Sequence, residues 1–174
     1  MIVAGSATQG LAAELAAETG RELASVSYER FPDGEQKVQI TGAADRAVVV
    51  ASTVSDGDWV ELLQLQDALA ESGVEHVTTV LPYMGYGRQD KAFADGDPVS
   101  ARAMARAIST GTDRVLTVNP HEPTVTEFFD VPAEAVDAAG RLAEPLPDLT
   151  DPLFLSPDAG AISLAETVQA AYGV

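Results

Sequence analysis

The chain has 174 residues, which is enough for one substantial hydrophobic core and short for two. It carries 27 acidic against 10 basic residues, so the formal net charge is -17. We expect no nucleic-acid partner, because binding to a phosphate backbone requires a basic face. The absence of cysteine excludes disulfides, thiolate metal sites and cysteine nucleophiles.

The scattered acidic residues and the rarity of lysine point to the environment of the protein. Only Lys37 and Lys91 are lysines. A salt-loaded cytoplasm favours such a surface because salt screens its self-repulsion, so we infer a halophilic source; an acidic mesophilic protein is the alternative. No apolar run is long enough to span a bilayer, and the N-terminus does not resemble a secretory signal. We therefore expect a cytoplasmic protein that does not associate with membranes.

The first third of the chain alternates short β-rich runs with a helix. Residues 1–5 (MIVAG) predict a strand, and residues 8–20 predict a helix that ends at Gly20. Residues 23–31 and 35–40 flank the turn PDG and predict a β-hairpin. The continuous apolar run at 47–52 is typical of a strand buried on both faces.

The same alternation continues through the middle of the chain. A helix is predicted over 59–73 from the leucine spacing, and a strand over 76–83. A second helix is predicted over 97–111, with Asp97 as N-cap and Pro98 at the first helical position. Residues 114–119 predict a buried strand. A short helix is predicted to follow at 123–129.

The C-terminal part completes the prediction. The proline-rich segment 140–152 predicts a surface connection. Residues 152–160 predict a strand that runs into a turn, and residues 161–173 predict a last helix. Alternating strands and helices favour an α/β fold, with a parallel sheet covered by helices on both faces.

Polar residues follow three of the predicted strands. In a parallel sheet, ligands bind beyond the carboxyl ends of the strands, so Arg88, Gln89, His121 and Asp158 are expected to converge on one edge. A guanidinium group suits phosphate, and an imidazole with a carboxylate can share a divalent metal with water and phosphates. This combination predicts a site for a metal-bound nucleotide.

Each of these residues also has a purely structural interpretation. The run from Arg88 to Lys91 can be a solvated loop, His121 a hydrogen-bonded structural residue and Asp158 a helix cap. The stretch FPDGE at 31–35 can be a plain tight turn in which Gly34 takes a positive φ. GSATQG at 5–10 fits neither the dinucleotide-binding pattern nor the Walker A pattern.

Six segments in order along the chain resemble ribose-phosphate pyrophosphokinase, a family of phosphoribosyl pyrophosphate synthetases, in a haloarchaeal type. The most specific is PYMGYGRQDK at 82–91, which is close to the family signature P-Y-x-x-Y-x-R-Q-D-K. The others are RFPDGE at 30–35, DWVELLQLQDAL at 58–69, DPVSARAMA at 97–105, VLTVNPHEPTVTEFFDVP at 115–132 and LSPDAGA at 155–161.

The resemblance implies a phosphoribosyltransferase-like α/β domain and an Mg²⁺-dependent transferase. Members of the family move pyrophosphate from ATP to ribose 5-phosphate, giving phosphoribosyl pyrophosphate and AMP, and assemble as homo-oligomers, usually dimers or hexamers. By resemblance, the ATP-binding residues would be Phe31, Asp33, Glu35, Arg88 and Gln89, the first three acting across a subunit boundary. The metal contacts would be His121 and Asp158.

Two features depart from the family pattern. Asn119 stands where the family usually has Asp two residues before the His. The family's flexible loop with catalytic Lys and Arg, and its ribose-5-phosphate loop, have no counterpart in residues 1–174.

We therefore expect an N-terminal synthetase domain over 1–145 and the start of a truncated second domain over 146–174. Such a chain is expected to bind ATP without making phosphoribosyl pyrophosphate alone. The alternative function is a non-catalytic, ATP-binding regulatory partner of a full-length synthetase.

Overall fold

The computed structural model describes residues 1–42 and 44–173. It divides into two compact units, Met1–Ala135 and Val136–Val174. The predicted domain division at 145/146 therefore lies inside the second of these units and stays a prediction. None of the described helices is long and apolar enough to cross a membrane.

The strands of the described residues form two sheets. Their bounds are β1 (Ile2–Ala4), β2 (Ser25–Arg30), β3 (Gln36–Thr41), β4 (Arg46–Val50), β5 (His76–Leu81), β6 (Arg114–Val118) and β7 (Ala133–Val136). The main sheet has the order β1-β4-β5-β6-β7, and the pairs β1–β4, β4–β5 and β5–β6 are parallel. The predicted hairpin is confirmed as the antiparallel pair β2–β3, and Gly34 in its turn has φ 95°.

Helices of the first unit cover both faces of the main sheet, as predicted. The helix bounds are α1 (Gln9–Thr19), α2 (Asp56–Glu71), α3 (Ser100–Ser109) and, in the second unit, α4 (Ile162–Tyr172). Short 3-10 helices cover Ser6–Thr8, Pro123–Phe128, Ala139–Ala143 and Ala159–Ala161. Ala12 and Ala16 of α1 pack with Ile2 and Val50, whereas the opposite face carries the larger cluster that contains the leucines of α2.

The leucines of α2 fill the centre of the first unit. Leu62, Leu65 and Leu69 are fully buried, which confirms the core face predicted from their spacing. The helix begins three residues earlier than predicted because Ser55 and Asp58 form a capping box. In this box the Ser55 backbone N–H donates to the Asp58 carboxylate over 2.6 Å, and the Ser55 hydroxyl accepts from the Asp58 N–H.

Two predictions of local structure were wrong, and one strand was missed. Asp97 is not the N-cap of α3: the helix begins at Ser100, and the Asp97 carboxylate instead accepts a hydrogen bond of 2.9 Å from the Ala94 N–H. The strand predicted within 152–160 does not form; beyond β7 the described part of the second unit has no strand to pair with it, and Leu155 is 80% exposed. The edge strand β7 was not predicted, because its sequence AEAV is short and polar.

Candidate functional site

The site predicted from the sequence is built on the edge of the main sheet where its parallel strands end, here called the carboxyl edge. Parallel strands present their carboxyl ends together, so the segments that follow β1, β4, β5 and β6 all begin there. The longest segment is 82–99, the signature loop, which joins β5 to α3. The segment that contains His121 follows the neighbouring strand β6.

The signature loop is held against the end of β4 by a close backbone approach at Gly85. The Gly85 N–H donates to the buried Thr53 hydroxyl over 3.0 Å, and the Thr53 N–H donates to the Tyr83 carbonyl over 2.9 Å. A Cβ atom at position 85 would lie 2.4 Å from the Thr53 carbonyl oxygen. Only glycine therefore fits here without displacing the loop.

The first part of the signature loop is also attached to the start of α2, through Tyr86. The Tyr86 hydroxyl donates to the Asp56 carboxylate over 2.5 Å, and its ring lies 6.2 Å from the ring of Trp59. This hydrogen bond is the main cause, and the negative charge of Asp56 the second cause, of a raised pKa of Tyr86. The phenol therefore remains a proton donor in the neutral range. Tyr86 has φ 60°, in the left-handed region that is unfavourable for a bulky residue.

Near its middle, the signature loop contacts the start of α3 through Gln89. The Gln89 carbonyl accepts from the Ala101 N–H over 3.1 Å, and its side-chain oxygen accepts from the Ser100 hydroxyl over 2.5 Å. These bonds satisfy groups at an N-terminus that has no side-chain cap of its own. Between the anchors at Tyr86 and Gln89, Arg88 is exposed and forms no hydrogen bond or ion pair with the residues that the structure describes.

The hairpin turn 31–35 presents a second group of predicted site residues. Phe31, Asp33 and Glu35 are all exposed there. The Phe31 N–H donates to the Glu35 carbonyl over 2.7 Å, and the Glu35 N–H donates to the Asp33 carboxylate over 3.1 Å. The Arg30 guanidinium group, which precedes the turn, stabilises it by donating to the Gly34 carbonyl over 2.7 Å. The turn is thus well ordered by hydrogen bonds, while its side chains face solvent.

A polar cleft of about 220 Å³ lies between this hairpin and the first turns of α2. Glu61, which is buried, lines it and accepts a hydrogen bond of 2.6 Å from the Ser6 N–H. Tyr28 also lines it, and its hydroxyl donates to the Ala4 carbonyl over 2.6 Å. Burial, and then the charge of Glu61, raise the pKa of Tyr28 to about 12.

Ionisation of Tyr28 is expected to weaken the fold at alkaline pH. The pKa of Tyr28 is about 12 in the folded protein against 10.0 for a free phenol. The contribution of the protonated phenol to the free energy of unfolding is therefore complete below pH 10, and it is lost as the pH rises towards about 12. In urea titrations, the Tyr28→Phe variant should lose less of its free energy of unfolding across this window than the parent. Tyr83→Phe, which alters an exposed tyrosine, should keep the full decline. Equal declines in the parent and Tyr28→Phe would contradict this assignment.

Comparison with known proteins identifies the family. A family model described as the N-terminal domain of ribose phosphate pyrophosphokinase matches residues 1–111. The chain belongs to the ribose-phosphate pyrophosphokinase family. A relative with this name from Halobacterium salinarum is 63% identical over 99% of the chain, and one from Methanopyrus kandleri is 42% identical over 100% of it. The chain spans 63% and 62% of the lengths of these two relatives.

A solved structure supports the same fold. Phosphoribosylpyrophosphate synthetase from Mycobacterium smegmatis matches with a TM-score of 0.83 and 28% identity, over 99% of this chain and 61% of that chain. The predicted phosphoribosyltransferase-like α/β fold is thereby confirmed, and so is the resemblance drawn from the sequence motifs. The family is one of enzymes.

The two residues predicted as metal contacts lie in different compact units. His121 is exposed in the first unit, just after Asn119, whose φ is 40°. Asp158 lies in the second unit, where its carboxylate accepts a hydrogen bond of 3.1 Å from the Ala161 N–H and caps a short 3-10 helix. Asp158 is thus a helix cap, but of the short helix that precedes α4 and not of α4 itself. Its metal contact stays a prediction.

Within the described residues, no group of three or more His, Asp or Glu side chains could hold a metal ion. Neither His121 nor Asp158 therefore belongs to a protein cage for a cation. Each group alone is suited to adding one contact to a magnesium ion that arrives with a nucleotide, because Mg²⁺ takes most of its ligands from water and phosphate oxygens.

Several residues that build the site were missed in the sequence. None of the residues that hold these segments was selected as a candidate. The signature loop is contacted by Thr53, Asp56 and Trp59, and the segment after β1 is contacted by Glu61. The Ser55–Asp58 capping box was a detectable signal that α2 starts at the carboxyl edge. The contact between Asp56 and Tyr86 had no such signal, because the two lie 30 residues apart in sequence.

Proposed function

We propose that this protein is a ribose-phosphate pyrophosphokinase whose first unit binds ATP at the carboxyl edge. In the proposed reaction, the 1-hydroxyl oxygen of ribose 5-phosphate forms a bond to the β-phosphorus of ATP. The bond from that phosphorus to the α,β-bridging oxygen breaks, AMP leaves, and the hydroxyl proton is released. Phosphoryl transfer of this kind depends mainly on positioning and charge neutralisation.

The observation that carries this proposal is Arg88, an exposed cation on a firmly anchored loop of a chain with net charge -17. A guanidinium group binds phosphate oxygens through paired hydrogen bonds. Gln89 already uses its side-chain oxygen on Ser100, so we propose that its amide N–H groups contact ATP.

The hairpin turn supports the rest of the proposed nucleotide site. Phe31 offers an exposed aromatic face for the adenine, and Asp33 and Glu35 offer acceptors for the ribose hydroxyls. We propose that they act on ATP held by a second copy, in a homo-oligomer such as a dimer or hexamer. An exposed hairpin turn whose side chains face solvent suits such an arrangement.

We also propose that magnesium accompanies the ATP. His121, at the carboxyl edge after β6, would contact this ion, and Asp158 is the second proposed contact. The ion would neutralise charge on the triphosphate. Water and phosphate oxygens would supply its remaining ligands.

The test is ribose-5-phosphate-dependent AMP formation. The chain would be joined to the part of the Halobacterium salinarum relative that lies beyond the matched segment, and assayed with ATP and Mg²⁺. We expect AMP and phosphoribosyl pyrophosphate in equal amounts. Absence of AMP, under conditions in which the intact relative is active, would refute the proposed activity. ATP binding without turnover would instead support the regulatory alternative.

A further inference from the structure

We propose that Tyr86 and Asp56 form a positioning pair that fixes the direction in which Arg88 leaves the signature loop. The inference rests on the proposed function, since the ligand of Arg88 is taken to be ATP. Neither residue is proposed to touch the nucleotide. Their role is to hold the backbone two residues before the cation.

The first argument is the spacing of the anchors along the loop. Gly85 is bonded to Thr53, Tyr86 to Asp56, and Gln89 to Ser100. Arg88 lies inside this series, and the Gln89 N–H closes the turn by donating to the Tyr86 carbonyl over 3.2 Å. The backbone on both sides of Arg88 therefore depends on the position of Tyr86.

The second argument is that Tyr86 keeps a costly conformation at an exposed position. Its φ of 60° is unfavourable for an aromatic residue, and the residue is 47% exposed, so burial provides little compensation. The specific contacts that remain are the hydrogen bond to Asp56 and the ring of Trp59. These contacts join the loop to the rigid first turn of α2.

The third argument concerns the charge of the pair. The hydrogen bond to Asp56 is charge-assisted and short, at 2.5 Å, and such bonds are stronger than neutral ones. A neutral Asn at position 56 would keep the shape of the side chain but weaken the bond. The pair can therefore be tested without altering the packing of Trp59.

The experiment compares Tyr86→Phe, Asp56→Asn and the double variant with the parent, and uses Tyr83→Phe as the matched control. Tyr83 is an exposed tyrosine of the same loop whose hydroxyl makes no hydrogen bond to the described residues. Amide hydrogen exchange at Gly85 and Gln89 reports the loop without any ligand. Calorimetry with Mg-ATP reports the effect on binding.

We expect Tyr86→Phe to speed exchange at these two amides and to weaken ATP binding about fivefold, the effect of one net hydrogen bond. Asp56→Asn keeps a weaker bond and removes one negative charge, so it should speed exchange less and weaken ATP binding by a smaller factor. The double variant should resemble Tyr86→Phe, because that change already removes the bond that Asp56→Asn weakens. Tyr83→Phe should match the parent in both measurements. An unchanged unfolding midpoint in urea would show that the effect is local.

Two results would overturn the proposal. One is unchanged exchange at Gly85 and Gln89 in both single variants. The other is faster exchange with unchanged ATP affinity, which would show that the pair orders the loop without positioning Arg88. Failure of the parent chain to bind ATP would instead refute the proposed function, and the exchange data would still report whether the pair anchors the loop.

Discussion

Replacement of Arg88 by alanine is expected to weaken Mg-ATP binding by about 10- to 100-fold, while the free energy of unfolding stays within about 0.5 kcal/mol. The loss follows from the chemistry of the guanidinium group, which supplies charge-assisted, paired hydrogen bonds to phosphate. Stability should hold because Arg88 is exposed and makes no hydrogen bond or ion pair to the described residues. Titration calorimetry and urea unfolding of the same preparation measure both quantities.

The matched control for this variant is Arg46→Ala. Arg46 is also exposed, but it begins β4 at the opposite edge of the sheet. Both variants change the net charge of -17 by the same amount. The difference between their ATP affinities is therefore free of the general repulsion between the chain and ATP. Equal weakening in the two variants would show that Arg88 acts only through net charge. That outcome would contradict its place in the site.

The fold was predictable wherever a strand is buried on both faces. The apolar runs of β4 and β6 leave little alternative to a central parallel strand, and the leucine spacing of α2 defines its buried face. Edge elements were not predictable in this way. β7 is placed by contacts from β6: the Val115 N–H donates to the Pro132 carbonyl over 2.9 Å, and Arg114 pairs with Glu134 over 2.6 Å.

The start of α3 shows how a distant contact can replace a local signal. Asp97 and Pro98 form a good N-terminal pattern, yet the helix begins at Ser100. The Asp97 carboxylate instead closes a turn with Ala94. The carbonyl of Gln89 accepts from the second residue of the helix, Ala101, from 12 residues upstream. Local pattern rules consider only neighbouring residues, so they place the cap at Asp97.

The site was predictable to the level of its loops. Strand order and motif order together place the Arg88 and His121 segments after the neighbouring strands β5 and β6, as the structure has them. The contacts that shape these segments were not predictable, because Tyr86 contacts Asp56 across 30 positions, and Gly85 contacts Thr53 across 32, without any periodicity. Motifs indicate the candidate binding groups, whereas tertiary contacts determine how those groups are held.

Replacement of Gly85 by alanine is expected to lower the free energy of unfolding by about 2–3 kcal/mol and to reduce ATP binding with it. The added Cβ would lie 2.4 Å from the Thr53 carbonyl oxygen, and a backbone atom cannot rotate away as the end of a side chain can. The loop must therefore shift. The shift would strain the hydrogen bond between the Gly85 N–H and the Thr53 hydroxyl, and the position of Arg88 would change with it.

Gly10→Ala is the control for this variant, since it makes the same substitution in α1, where an added Cβ meets nothing within 4 Å. Alanine reduces the freedom of the unfolded chain in both variants, so the control should gain up to about 1 kcal/mol and keep its ATP affinity. The difference in unfolding free energy between the two variants then measures the clash with Thr53. If Gly85→Ala were as stable as Gly10→Ala and bound ATP like the parent, the signature loop would not depend on its close approach to β4.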